Sequence, residues 1–171
     1  MQIPFEIFNA ACIASSRDKS RKTFYKTIVV TEDNRLVSTD GGLLYISNEL
    51  FGLTPGMFQF SEMPKKALLV EIKDDTIVGY DKTMKCIWEL PITHVTKDFP
   101  DWRNKATWAE CPQADNIEMA WGLPVLEKMV KIFGTDTLLK YYSGGYEHPS
   151  RVIGNHGTVW VMPCRMPGVT E

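Results

Sequence analysis

The sequence predicts an α+β fold: largely antiparallel sheet with two helices packed on one side of it. Three observations carry that prediction. Short stretches of alternating apolar and polar residues outnumber helical stretches, tight turn signals separate them, and a strand–helix–strands order occurs twice along the chain. The 171 residues, 44% apolar and 23% charged with a net charge of −2, suit one domain spanning 1–171. Its two pseudo-repeats cover about 1–90 and 116–166, joined by a connector at 91–115. This composition excludes a disordered, collagen-like or coiled-coil chain. No apolar run reaches the roughly 18–20 residues of a membrane helix. The start, Met1-Gln2-Ile3-Pro4-Phe5, lacks the basic and apolar regions of a secretory signal, so a cytoplasmic protein is expected.

Phe5, Phe8, Cys12 and Ala14 place one buried face on a helix over 5–17. A basic connector follows, and 23–32 reads as a strand centred on Ile28-Val29-Val30. Asp33-Asn34 supplies a two-residue turn, since both residues tolerate left-handed backbone. The return strand is 35–39, and Asp40-Gly41-Gly42 turns the chain into another at 43–47. Pro55, Gly56 and Pro64 mark 50–64 as loop. Strands at 67–72 and 76–80 meet at Asp74-Asp75, and Met84, Cys86, Trp88 and Leu90 alternate along a half-buried strand at 83–90. The connector precedes a short strand at 117–120. Leu123, Leu126, Met129, Val130 and Phe133 then form a helical stripe closed by Gly134. Strands at 137–142, 151–153 and 158–162 complete the chain.

Little in this sequence speaks for catalysis. Cys12, Cys86, Cys111 and Cys164 form no C-x-x-C pair, and His94, His148 and His156 lack helical ligand spacing, so neither zinc nor any other cofactor is expected. His148, His156, Asp101, Cys111 and Ser143 make a triad only on paper, because there is no G-x-S-x-G elbow, H-E-x-x-H pair or phosphate-binding loop. Asp74-Asp75 reads as a hairpin tip rather than an acid/base pair. The protein is expected not to be an enzyme.

Charge is sorted along the chain. Over 15–26, Arg17, Lys19, Arg21, Lys22 and Lys26 oppose only Asp18, giving +4 in a chain of −2, so the rest carries −6. Taken alone, this reads equally as a solvated basic loop or as one that contacts phosphates. The second helix offers Lys128 and Lys131 against Glu127. Phe24-Tyr25 reads as strand packing.

Three stretches resemble the β sliding clamp of bacterial DNA polymerase III. The run Ala11-Cys12-Ile13-Ala14-Ser15-Ser16-Arg17-Asp18-Lys19-Ser20-Arg21, continuing to Val37-Ser38-Thr39-Asp40-Gly41, is similar to the family's middle domain, where a helix and connector lead to A-T-D-G-H-R-L. Phe99-Pro100-Asp101-Trp102-Arg103 resembles the F-P-D-Y-R that ends that domain. Val161-Met162-Pro163-Cys164-Arg165-Met166 resembles the closing V-M-P-M-R-L. The chain departs from the pattern at Gly42-Leu43, where the family has His-Arg, and at Cys164 and Met166; 167–171 extend past the family's usual end.

The resemblance implies a DNA-clamp-like domain acting as a processivity factor. About six copies would close an oligomeric ring around duplex DNA, helices inward, by edge-strand contacts. It would hold DNA non-specifically through Arg17, Lys19, Arg21, Lys22, Lys128 and Lys131, and tether DNA polymerase or other clamp-binding replication and repair proteins. Their peptide would enter a pocket with Thr39, Gly41 and Leu44 on one wall and Val161, Met162, Pro163, Arg165 and Met166 on the other. In the family these walls come from adjacent domains, so here the pocket is expected to be completed between neighbouring subunits. The alternative is a monomeric or dimeric clamp-like protein that recruits or blocks replication factors without encircling DNA.

Overall fold

Strand β1 (Gln2–Pro4) runs straight into helix α1 (Phe5–Ala14), with Pro4 at the junction where its fixed φ and missing N–H are tolerated. The computed structural model describes residues 2–16, 18, 20–50, 52–96, 99–101, 121–135, 137–142 and 149–162. Ile7, Phe8, Ala10, Ala11, Cys12 and Ala14 are all buried, so α1 buries more than the one face predicted. Its small side chains let strands of both sheets and the second helix close around it. The helix ends three residues before the predicted 17. There the Ser15 hydroxyl donates to Cys12 O (2.9 Å) and the next amide, Ser16, bonds Tyr25 O (2.6 Å) instead of continuing the helical ladder.

A single 3-10 turn, Thr23–Lys26, replaces the first part of the strand predicted at 23–32. Thr27 caps it by donating its hydroxyl to Thr23 O (3.0 Å). The strands after it are β2 (Ile28–Val30), β3 (Leu36–Thr39), β4 (Leu43–Ser47), β5 (Gly56–Gln59), β6 (Leu69–Ile72), β7 (Thr76–Tyr80), β8 (Cys86–Pro91) and β9 (Thr93–His94). Helix α2 (Leu123–Phe133) precedes β10 (Lys140–Tyr142), β11 (Ser150–Ile153) and β12 (Gly157–Val161). β5 lies inside the predicted loop and β9 inside the predicted connector. Both form because β5 pairs with β2 on one side and β9 on the other. β8 starts three residues late, since Asp81 Oδ1 gathers the amides of Thr83 and Lys85 into a hairpin tip and Met84 takes φ 61°. The strand predicted at 117–120 lies outside the described residues.

Among the described residues every pairing is antiparallel. One sheet has the order β1-β6-β7-β8 and the other β10-β11-β12-β4-β3-β2-β5-β9. Successive side chains of the larger sheet enter two separate clusters. Leu36, Leu43, Tyr45, Val159 and Val161 pack into the core that holds both helices, while Val37, Leu44, Ile46 and Trp160 form a smaller cluster on the outer face. The helices therefore share one side of antiparallel sheet, and the α+β class holds.

Helix α2 runs from Leu123 to Phe133 and ends at Gly134 (φ 81°), as predicted, but its buried face is different. Met129, Ile132 and Phe133 are buried with Val125 against them, whereas Leu123, Leu126 and Val130 are exposed. Two apolar stripes share this helix, and only the one compatible with α1 and the sheet is used. His156 fastens its end, with Nε2 bonded to Ile132 O (2.9 Å) and the ring stacked 5.5 Å from Phe133.

Candidate functional site

The β3–β4 turn is built by its own side chains. Thr39 Oγ1 donates to Leu43 O (2.7 Å) and accepts from the Gly41 amide (3.0 Å), and Asp40 Oδ1 accepts from the amides of Gly42 (2.9 Å) and Leu43 (3.0 Å). Gly41 takes φ 95°, and a β-carbon there would stand 3.0 Å from the Tyr25 ring. The φ calls for glycine, and a side chain would also press on the Tyr25 ring. Asp40 Oδ2 pairs with Lys128 of α2, so helix and turn are locked together. From the other side, the Met162 amide bonds Gly42 O (3.0 Å).

This turn forms the rim of a cleft of about 160 Å³ on the outer sheet face. Phe24 and Tyr25 of the 3-10 turn, Leu44 of β4, Trp160 of β12, Phe99 and Met162 supply most of its wall. The register explains the gathering. Thr39 faces Leu44, Leu44 faces Trp160, Trp160 faces Arg151 and Arg151 faces Tyr142, one row across five strands. Arg151 lies over both neighbouring rings, 4.4 Å from the Tyr142 centroid and 5.6 Å from Trp160. Arg21 lies 5.8 Å over Tyr25. The cleft is apolar inside, with guanidinium groups on two of its aromatic walls.

Of the residues read from sequence as a pocket, Thr39, Gly41, Leu44 and Met162 line this cleft together. Val161 does not: period-two alternation turns its side chain into the core, where it is fully buried. Pro163, Arg165 and Met166 lie outside the described residues. Because β12 pairs directly with β4, Thr39, Gly41, Leu44 and Met162 meet within one chain rather than only between neighbouring subunits. Phe24, Tyr25, Phe99, Trp160 and Arg151 were not anticipated. Trp160 was findable, since the alternation that exposes Met162 puts Trp160 on the same face.

The basic residues divide. Arg17 and Lys19 lie outside the described residues. Arg21 and Lys22 are exposed, and Arg21 stands on Tyr25 beside the cleft. Hydrogen bonds from Ser20 hold the nearby Asp18 carboxyl below its ordinary range. Lys128 is engaged by Asp40, and Lys131 by Glu127 (2.6 Å). Among the described residues, no group of three or more His, Cys, Asp or Glu side chains could hold a metal ion, and no helix is long and apolar enough to cross a membrane.

No protein-family model matches the sequence, and no curated protein matches it. Solved structures do match in fold. The sliding clamp (DNA polymerase III subunit beta) from Pseudomonas aeruginosa bound to griselimycin aligns with TM-score 0.60 at 11% identity, over 97% of this chain and 65% of that one. DNA polymerase III subunit beta from Borrelia burgdorferi, in complex with a natural product, gives 0.58 at 10% identity, over 97% and 64%. The beta subunit from Streptococcus pyogenes gives 0.57 at 10%, over 97% and 66%. The chain thus spans just under two thirds of the length of these structures. At such low identity the likeness is one of architecture, and in architecture this chain has the fold of the bacterial DNA polymerase III β sliding clamps.

Proposed function

We propose that this protein is a sliding-clamp-like processivity factor. It assembles as a ring of like subunits on duplex DNA and tethers partner proteins by a peptide seated in the outer cleft. The observation that carries this reading is the cleft itself: Thr39, Gly41 and Leu44 meet Trp160 and Met162 on the sheet face opposite the helices. An apolar, turn-rimmed groove of this kind holds aromatic or aliphatic anchors, and Met162 adapts to more than one of them. In this reading the helical side faces DNA and the outer sheet face meets partners. No step of this activity makes or breaks a covalent bond.

In this reading Arg17, Lys19 and Lys22 bind phosphates of the duplex, while Arg21 stands over Tyr25 beside the outer cleft. Lys128 and Lys131 are weaker candidates, because both are already ion-paired. The test is topological. The protein stays on nicked circular duplex during gel filtration and leaves when the circle is cut, whereas equal retention on both forms contradicts encirclement. Neutralising the connector cations lowers the slope of log affinity against log salt by up to about 0.9 for every phosphate they had neutralised. An unchanged slope contradicts their role.

A second reading, a monomeric or dimeric clamp-like protein that recruits or blocks replication factors, draws on one observation. The outward face of α2 carries Leu123, Leu126 and Val130, and its cations are paired, so that helix offers little to phosphate. Such a protein binds partner peptides in the cleft yet shows no preference for circular DNA.

A further inference from the structure

We propose that Arg151 is the specificity-determining residue of the outer cleft and selects a peptide with an acidic side chain near its apolar anchor. This rests on the reading of the cleft as a peptide site. The cleft interior is aromatic and aliphatic, so it fixes an anchor side chain and says nothing about charge. Arg151 adds the charge. Cross-strand pairing sets it between Tyr142 and Trp160, with its guanidinium over both rings at 4.4 and 5.6 Å. Stacking on two aromatic faces holds the guanidinium in one orientation and leaves N–H groups along its edge for a two-pronged carboxylate contact.

Among the described residues, no carboxylate pairs with Arg151. Asp40, in the β3–β4 turn, is engaged by turn amides and Lys128. Trp160 lines the cleft and carries the guanidinium 5.6 Å from its ring centroid, so an extended peptide anchored in the cleft passes the guanidinium within a few residues at roughly 3.3 Å each. The occupant therefore carries an apolar anchor with Asp or Glu within a few positions of it. Arg21, over Tyr25, reinforces the same preference.

The experiment uses the full chain and fluorescein-labelled octapeptides with one central Phe anchor, the two positions on each side of it all Glu, all Gln or all Lys. Wild-type protein binds the Glu peptide at least about fivefold tighter than the Gln peptide in low salt, and the Lys peptide weakest. Arg151→Gln brings the Glu and Gln peptides to equal affinity; Arg151→Lys, with charge but no fork, recovers only part of the difference. Equal binding of Glu and Gln peptides by wild type, or a preference that survives Arg151→Gln, overturns the assignment. Leu44→Gln tests the cleft separately. If it leaves all three affinities unchanged, or if wild type binds none of the peptides, the peptide-site reading itself falls, and the role of Arg151 with it.

Discussion

Gly41 shows how much one residue carries. Its φ of 95° is reached readily only by glycine, and the Tyr25 ring occupies the place of a side chain. Gly41→Ala should cost about 1–3 kcal/mol of stability and displace Tyr25 from the cleft wall. Urea unfolding checks the first effect and binding of the Glu peptide the second; a variant with wild-type stability would contradict the turn geometry. His156 makes a different prediction. Burial holds its imidazole pKa below the ordinary 6.5, and the ring bridges Ile132 O and the Tyr45 hydroxyl. The unfolded chain therefore takes up a proton below about pH 6.5 that the folded site resists, so this residue's contribution to stability is present above that pH and is lost as pH falls through the folded value. Glu6 opposes the shift without cancelling it. Between pH 7 and pH 5 the wild-type Tm should fall more than that of His156→Gln. Equal falls would contradict the buried neutral imidazole.

At the scale of elements, the Asp40–Lys128 pair joins the β3–β4 turn to α2 and makes a charged residue of the helix part of the cleft's support. Lys128→Met should weaken peptide binding while leaving the salt slope of DNA binding unchanged. A reduced slope with intact peptide binding would make Lys128 a phosphate ligand instead. The same elements show what was legible in the sequence. The bounds of α2 were readable because Gly122 and Pro124 open it and Gly134 closes it, all local signals. Its buried face was not, because two apolar stripes fit the helical period and the choice lies in packing against α1. The 3-10 turn at Thr23–Lys26 hid behind β-favouring residues, and β5 behind Pro55-Gly56, since its partners come from elsewhere in the chain. Thr39, Gly41, Leu44 and Met162 were readable from motif order. Phe24, Phe99 and Arg151 entered the site only when the strands were placed side by side.

At the scale of the whole molecule, the proposed ring draws on the arrangement of helices, sheet and charge. Two helices share one side of antiparallel sheet, and a cleft lies on the other face. Among the described residues, the larger sheet ends at β10 and β9 and the smaller at β1 and β8. Sheet margins of this kind can accept a neighbouring strand, and a head-to-tail contact that closes gives a ring rather than a filament. With +4 in residues 15–26 and −6 elsewhere, such a ring concentrates its positive charge while the remaining surface stays acidic. Light scattering of the purified chain across a range of concentrations is the most direct measurement. The account predicts one dominant species at about six times the 19.5 kDa chain mass. A mass of 19.5 kDa at every concentration would contradict it.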